Sequence, residues 1–344
     1  MARLKAGAKN LITDVPGIQV GNAHDPVLKS GSTAIIPDNP AVVSVAIHGG
    51  APGTRDVALL EPDQTVAQVD ALVLSGGSAF GLDAAAGVQS LLAKRGKGYA
   101  VGSVRVPIVP AAILFDLLNG GDKNWGLDET PYRHLGIQAA QNARTDFELG
   151  TIGAGYSATT ATLKGGLGSA STLLPSGATI GALAAVNALG SVTYDHLAHF
   201  RAAPFEIGDE FGGLGLPDHL PQPSEAILSK LTNMDSKAQP LQNTTISVVA
   251  TDLILTKAEA KRIAVAAHDG YAQAIWPSHT PLDGDLIFVL STGKRAMTDP
   301  VSDMQMLGAH AASTVARAIA RGVYHAAPDR TDAVPTWKES YLTT

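Results

Sequence analysis

The stretch that decides the fold is residues 243–267, which read NTTISVVATDLILTKAEAKRIAVAA. Its first part, Thr245–Asp252, is rich in β-branched residues and predicts a buried strand. Thr256 and Glu259 then have the spacing of a capping box, which predicts that a helix begins there. An irregular polar segment therefore gives way to a rigid strand at the Asn243–Thr244 peptide bond.

A hydroxyl residue at such a junction has a specific chemical use. If the chain is cut before Thr244, this residue gains a free α-amine beside its own hydroxyl. An α-amine titrates near pH ~8, so a sizeable fraction is neutral and can accept the hydroxyl proton. Threonine would then carry both a nucleophile and its own base, without the need for a histidine. An Asn-Thr pair alone is weak evidence, because threonine is common at strand starts.

Two carboxylates downstream are consistent with a catalytic role for Thr244. Asp283 and Asp285 precede a second strong strand, Leu286–Leu290. Residues at i and i+2 of a strand point to the same side, so the pair could hold the α-ammonium of Thr244 or orient its hydroxyl. An ordinary Asp-Gly-Asp turn explains the same pattern equally simply.

The rest of the chain predicts mixed elements without regular βαβ alternation, which favours the α+β class with a mixed or antiparallel sheet. Further strands are predicted at Gly17–Val20, Ser32–Ile36, Val42–Ile47, Ala71–Leu74 and Thr179–Val192. Helices are predicted from Ser78 to about Ala93, over Val106–Leu118, over Leu135–Arg144, near Ser224–Leu231, from Thr256 to about Ala274 and over Pro300–Arg321. Residues 195–243 are predicted as a long surface excursion that ends in the polar run Ser236–Asn243, and the tail after Ala326 as loose.

Composition narrows the function classes. Of 344 residues, 45% are apolar and only 16% are charged, which predicts a large sheet core and a homo-oligomer interface, although a monomer with an ordinary apolar surface stays open. The net charge of −6 with no basic run argues against nucleic-acid binding. The absence of cysteine excludes disulfides, thiolate metal sites and cysteine nucleophiles. No secretory signal and no membrane span are expected, so the expected compartment is the cytoplasm.

Seven motifs in order along the chain resemble the P1 family of peptidases. This family includes D-aminopeptidase, L-aminopeptidase/D-esterase, β-peptidyl aminopeptidase and the nylon-oligomer hydrolases. The motifs are VGNAHD (20–25), LSGGSAFGLDAAAGV (74–88), VPIVPAAILFDL (106–117), GAGYSATT (153–160), NTTIS (243–247), VVATDLILTKAEAKRIA (248–264) and HTPLDGDLIF (279–288). The resemblance implies a four-layer αββα sandwich of the N-terminal-nucleophile type. It also implies one catalytic domain that cleaves itself into residues 1–243 and 244–344, and a homo-oligomer, often a tetramer.

The resemblance also implies roles for individual residues. They are Thr244 as nucleophile, Asn243 as donor of the carbonyl that is attacked, Asp283 and Asp285 as the pair that positions Thr244, Lys164 as the neighbouring cation, and Asn187 as the oxyanion donor. Gly153 and Gly155 complete the implied substrate neighbourhood. Phe115 stands where some members carry a tyrosine. Because the phenylalanine side chain cannot donate a hydrogen bond, either a backbone amide substitutes for it or the second oxyanion donor lies elsewhere.

The predicted reaction is hydrolysis of amide bonds in small peptides, amino-acid amides or esters, and 6-aminohexanoate (nylon) oligomers, with no cofactor. Two alternatives stay open: acyl transfer of the ornithine acetyltransferase kind, and an uncleaved, non-catalytic binding protein. A metal site is not predicted. Asp195, His196 and His199 form a possible fragment of one but lack a further ligand, and His268 and His279 are interpreted as helix-end or loop residues.

Overall fold

The computed structural model describes residues 3–126, 130–222, 227–232 and 243–342. The strands are β1 (Ile18–Asp25), β2 (Ser30–Pro37), β3 (Val42–Ile47), β4 (Gly53–Arg55), β5 (Leu72–Ser75), β6 (Tyr99–Val101), β7 (Val104–Val106), β8 (Ala111–Ile113), β9 (Gly166–Leu173), β10 (Thr179–Asn187), β11 (Thr244–Leu253) and β12 (Leu286–Arg295). The helices are α1 (Asp83–Lys94), α2 (Pro131–Gln141), α3 (Lys257–Ala267), α4 (Asp269–Ala274), α5 (Pro300–Tyr324) and α6 (Trp337–Tyr341).

Ten of these strands form two mixed sheets. The first has the order β1-β2-β5-β8-β4 and the second the order β3-β12-β11-β10-β9. Strand β11 occupies the centre of the second sheet, antiparallel to β10 and parallel to β12. In this register Asn187 lies directly opposite Thr244, at the end of the sheet where β12 begins.

The alternation of side chains along β11 builds two hydrophobic cores. Ile246 and Val248 point into the core between the two sheets. Val249 points the other way and joins Ile263 of α3 and Val315 of α5 in a second core. A third core lies between the first sheet and helices α1 and α2. Each fully buried aliphatic side chain contributes about 1.5–3 kcal/mol to the free energy of folding. The three cores therefore hold together four layers: helices, the first sheet, the second sheet and helices. The predicted αββα sandwich is confirmed.

The helix predicted over Val106–Leu118 is wrong. Val106 ends β7, and Ala111–Ile113 forms β8, which pairs with β5 and β4 inside the first sheet. Pro107 and Pro110 lack backbone N–H groups and bias the residue before each of them away from helix. A short apolar run is compatible with a buried strand as well as a helix, and here the sheet pairing decides.

The C-terminal part also differs from the prediction. The helix predicted from Thr256 to Ala274 is divided into α3 and α4 at His268. The tail after Ala326 is ordered near its end, where Thr336 caps α6 and Trp337, only 1% exposed, donates to the carbonyl of Ala198.

Two predictions fall wholly or partly outside the described residues. The helix predicted near Ser224–Leu231 is described only from residue 227, and residues 227–232 are not helical. The polar run Ser236–Asn243 is described only at Asn243. Within the described ranges, none of the helices has the length and apolar character that crossing a membrane requires.

Candidate active site

The Asn243–Thr244 peptide bond lies where the central strand begins. Thr244 is the first residue of β11, and only 3% of its surface is exposed. Its hydroxyl Oγ1 donates a 2.5 Å hydrogen bond to the carbonyl oxygen of Asn243. The same oxygen accepts a 2.8 Å hydrogen bond from the backbone N–H of Gly284. The hydroxyl thus lies beside the carbonyl that self-cleavage would attack, and a fixed donor already polarises that carbonyl.

Gly284 fits closely against the threonine side chain. A Cβ atom at this position would lie 2.6 Å from Thr244 Oγ1 and 2.8 Å from the carbonyl oxygen of Ala51. Both distances are shorter than nonbonded contacts allow. The absence of a side chain at Gly284 therefore lets its N–H approach Asn243 while leaving space for the hydroxyl.

Gly284→Ala is therefore expected to slow any self-cleavage at Asn243–Thr244 by at least about 100-fold, since an error of about 1 Å in a reacting group costs that much. The rate of fragment formation on denaturing gels measures this. Gly308→Ala in α5 is the matched control, because its Cβ would meet only Ala266 and Ile263 at 3.5 Å and 3.7 Å. Equal cleavage rates in the two variants would show that the close approach of Gly284 is unimportant.

Asp285 ties the start of β11 to the loop before β12. Its Oδ1 accepts a 2.8 Å hydrogen bond from the backbone N–H of Thr245. Its Oδ2 accepts two 2.9 Å bonds from His279, one from the backbone N–H and one from ring Nδ1. The carboxylate is 2% exposed. It fixes the strand at the residue next to Thr244.

Asp283 holds the loop on the other side of Gly284. Its Oδ1 accepts from the N–H of Leu189 at 3.3 Å, and its Oδ2 accepts from the N–H and hydroxyl of Thr280 at 3.1 Å and 2.6 Å. Burial, followed by the nearby charge of Asp285, raises the pKa of Asp283 to about 6. Two adjacent buried carboxylates are costly to ionise together, and such perturbed groups concentrate at functional sites.

Asn187 faces Thr244 across the β10–β11 ladder. Its Oδ1 accepts from the N–H of Thr159 at 3.0 Å and from the ammonium of Lys230 at 3.3 Å. Its Nδ2 donates to the carbonyl oxygen of Phe115 at 2.9 Å. Phe115 thus contributes its backbone rather than its ring. These bonds lock the amide of Asn187 in one orientation opposite Thr244.

Lys230 is a charged residue of this site that sequence reasoning missed. It is 8% exposed, and burial lowers the pKa of its ammonium from 10.5 to about 7, against the opposing charge of Asp283. It lies between Leu189, whose carbonyl accepts its backbone N–H, and Asn187. A lysine in a segment of weak periodicity gives no signal in the sequence, since its burial depends on how residues 227–232 fold against β10.

The sequence predicts Lys164, Gly153 and Gly155 near Thr244, and each of them contacts other residues. The Lys164 ammonium forms a 2.6 Å ion pair with Asp332, so the cation that contacts Asn187 is Lys230. A Cβ on Gly153 would lie 2.3 Å from side-chain oxygens of Asn22 and Thr33, and one on Gly155 would lie 2.1 Å from the backbone nitrogen of Leu167. These glycines permit close packing between the two sheets.

The two mixed sheets, with helices packed on their outer faces, define the class of N-terminal-nucleophile hydrolase folds. A solved structure of this class, the L-aminopeptidase D-Ala-esterase/amidase from Ochrobactrum anthropi, superposes with a TM-score of 0.67 at 20% identity, covering 97% of this chain and 92% of that one. The sequence model of peptidase family S58 matches residues 10–333. The chain belongs to peptidase family S58.

Curated relatives place the chain more narrowly. It is 40% identical over 350 residues to an uncharacterized aminopeptidase of Mycobacterium tuberculosis, covering 96% of this chain and 98% of the relative. It is 27% identical over 290 residues to the 6-aminohexanoate-oligomer endohydrolase of a Kocuria species, covering 83% of this chain and 76% of that enzyme. The chain is thus a hydrolase of the aminopeptidase and 6-aminohexanoate-oligomer hydrolase family.

Proposed function

We propose that this chain cleaves itself between Asn243 and Thr244 and then uses Thr244 to hydrolyse amide bonds of small peptides, amino-acid amides or esters, and ω-amino-acid oligomers. The observation that carries the proposal is the contact of the Thr244 hydroxyl, at 2.5 Å, with a carbonyl that Gly284 also hydrogen-bonds. The names of the curated relatives motivate the substrate classes.

Self-cleavage would proceed by an N-to-O acyl shift. Thr244 Oγ1 attacks the carbonyl carbon of Asn243, and the N–H of Gly284 stabilises the negative charge that forms on the oxygen. The C–N bond then breaks, the nitrogen of Thr244 takes up the proton that left Oγ1 and becomes an amine, and Asn243 is held as an ester on Oγ1. Water hydrolyses this ester, which leaves a carboxylic acid at Asn243 and restores the hydroxyl.

Turnover would repeat this chemistry on a substrate. The α-amine of Thr244 takes the proton from its hydroxyl as the oxygen attacks the substrate carbonyl. The resulting ammonium returns this proton to the nitrogen of the leaving amine as the C–N bond breaks. Asn187, whose amide is locked opposite Thr244, and the N–H of Gly284 are the proposed oxyanion donors. The N–H of Gly284 would then supply the second hydrogen bond that the side chain of Phe115 cannot donate. Water completes the cycle by hydrolysing the acyl ester.

Lys230 is proposed as a positioning residue for both steps. In the uncleaved chain the nitrogen of Thr244 is an amide and cannot act as a base. The Lys230 ammonium holds Asn187 and carries positive charge into the site, where it favours the alkoxide and the neutral form of the α-amine. The Asp283–Asp285 pair is proposed to position Thr244 through the loop and strand that it holds.

The pH dependence of self-cleavage tests the role of Asp283. Because its pKa is raised to about 6, Asp283 gains a proton as the pH falls through that value and can no longer accept three hydrogen bonds. We expect the cleavage rate to fall about tenfold per unit below pH ~6. Asp252→Asn, at the far end of β11, is the control and should keep the same profile. A rate independent of pH between 5 and 7 would contradict this role.

A homotetramer is proposed for the assembly. The hairpin β6–β7 carries four exposed apolar side chains, Tyr99, Val101, Val104 and Val106. We expect light scattering to give about four chains per particle, and replacement of Val101 and Val104 together by Asp to yield smaller particles. A monomeric wild-type protein would contradict the proposal.

Acyl transfer is distinguished from hydrolysis by the acceptor. If the chain resembles ornithine acetyltransferases in activity, ornithine supplied with an acyl donor will be acylated faster than the donor is hydrolysed. We expect hydrolysis alone. Failure to self-cleave, with no amidase activity, would instead favour a non-catalytic binding protein.

A further inference from the structure

Three histidines gather beside the carboxylate pair. His48 follows β3, His268 lies between α3 and α4, and His279 lies in the loop before β12. One ring nitrogen of each lies within 4.8 Å of those of the other two. The site is reached from solvent, since His48 is exposed and the side chain of His279 is 19% exposed.

Hydrogen bonds fix which ring nitrogens carry protons. His268 Nε2 lies 3.0 Å from the carbonyl oxygen of Ala46, and a carbonyl only accepts, so this nitrogen carries a proton. His279 Nδ1 lies 2.9 Å from Asp285 Oδ2 and donates to that carboxylate. In the neutral ring of His268 the lone pair is therefore on Nδ1.

The remaining nitrogens face one another. His268 Nδ1 and His279 Nε2 are 3.3 Å apart. In neutral rings both would be lone pairs, and two lone pairs at this distance repel unless a positive species lies between them. Tetrahedral coordination with Zn–N bonds of about 2.0–2.1 Å places neighbouring ligand nitrogens about 3.3–3.4 Å apart. The observed separation therefore suits two ligands of one ion.

We propose that His268 and His279, with His48 as a third ligand, bind a divalent transition-metal ion of the zinc type. The outer nitrogens of His268 and His279 donate to a carbonyl and a carboxylate, which is how metal-binding histidines are commonly oriented. Imidazole ligands favour zinc, cobalt, nickel and copper over magnesium or calcium. The ring of His48 stacks on His268, with centroids 3.8 Å apart, and its exposed position allows it to turn toward the ion.

The site is coupled to the candidate active site through one side chain. His279 contacts Asp285, which holds the N–H of Thr245 beside the nucleophile. The binding proposal itself does not rest on the proposed hydrolase function, because it is tested by occupancy and not by turnover.

The test is cobalt binding to the purified, tag-free chain after treatment with a chelator. We expect one Co²⁺ per chain, with visible absorption bands of tetrahedral intensity that vanish when Zn²⁺ is added. His48→Ala and His279→Ala should weaken binding by at least about 10-fold. His134→Ala, an exposed histidine of α2, and His196→Ala should bind as wild type does. Circular dichroism shows whether each variant is folded.

Two results would overturn the proposal. One is the absence of stoichiometric Co²⁺ and Zn²⁺ binding to the wild-type chain. The other is unchanged affinity in folded His48→Ala and His279→Ala. In either case a proton bridges the histidine pair instead, and ¹⁵N chemical shifts should then show both nitrogens of His279 protonated.

Discussion

Thr244→Ala is expected to leave the chain uncut and to lower amide hydrolysis by at least about 10⁴-fold. The substitution removes the hydroxyl that lies 2.5 Å from the Asn243 carbonyl, and with it both the acyl shift and the acyl-enzyme. Removal of the nucleophile from other acyl-transfer enzymes has effects of this size or greater. Fragment formation and release of amine from an amino-acid amide measure the two activities.

Two further variants separate chemistry from folding. Thr244→Ser keeps a hydroxyl at the same position and should retain part of both activities. Thr251→Ala removes another buried threonine hydroxyl of β11, seven residues along the strand, and should cleave and turn over as wild type does. Normal cleavage and turnover in Thr244→Ala would remove Thr244 from the mechanism.

Lys230→Met is expected to make the fold more stable and the enzyme slower. The pKa of Lys230 is lowered by burial to about 7, whereas the unfolded chain has the ordinary value of 10.5. Below pH ~7 the folded chain therefore bears the full free-energy cost of burying this charge. The cost declines as the pH rises toward 10.5, because the lysine is increasingly neutral in the folded chain. Methionine of similar volume removes this cost; replacement of buried ion pairs by apolar side chains is often neutral or stabilising, by up to about 1–4 kcal/mol. Cleavage and turnover should fall by about 100-fold, because an electrostatic contribution is lost.

Urea unfolding at pH 6 and pH 9.5 measures the stability change, in the Thr244→Ala background so that the chain stays intact. The gain should be larger at pH 6. Lys164→Met is the matched comparison, because it breaks an ion pair with Asp332 and should lower stability at both pH values. A Lys230→Met protein that is less stable than its parent and fully active would show that Lys230 is only structural.

Much of the second sheet can be predicted from sequence because its strands have strong local signals. Val42–Ile47 is predicted with the bounds that β3 has, and Thr245–Asp252 lies within β11. Both are rich in β-branched residues. The helix prediction for Val106–Leu118 fails because a short apolar run fits a buried strand or a helix equally well. Only the pairing of Ala111–Ile113 with β5 and β4 decides between them.

The candidate site also contains residues that the sequence predicts and residues that it does not. Asn187, Thr244 and Asp285 lie at the ends of three neighbouring strands, so strand order alone brings them together. Lys230 reaches the site from a segment without periodicity, through an isolated bridge between Ser229 and Gly190. Long-range contacts of this kind leave no trace in local sequence.

The histidine cluster shows the same limit. A sequence search for metal ligands selects His196 and His199, because they are close in the chain. The described residues instead bring together His48, His268 and His279, which are up to 231 positions apart.

The most direct test of the central claim is the intact mass of the purified wild-type protein, with the N-terminal sequence of each piece. Self-cleavage predicts fragments of roughly 25 and roughly 10 kDa by proportion of residues, with the smaller beginning at Thr244. A single species of full-chain mass without amidase activity would contradict the claim, and the family fold would then serve a function that does not use Thr244 as nucleophile.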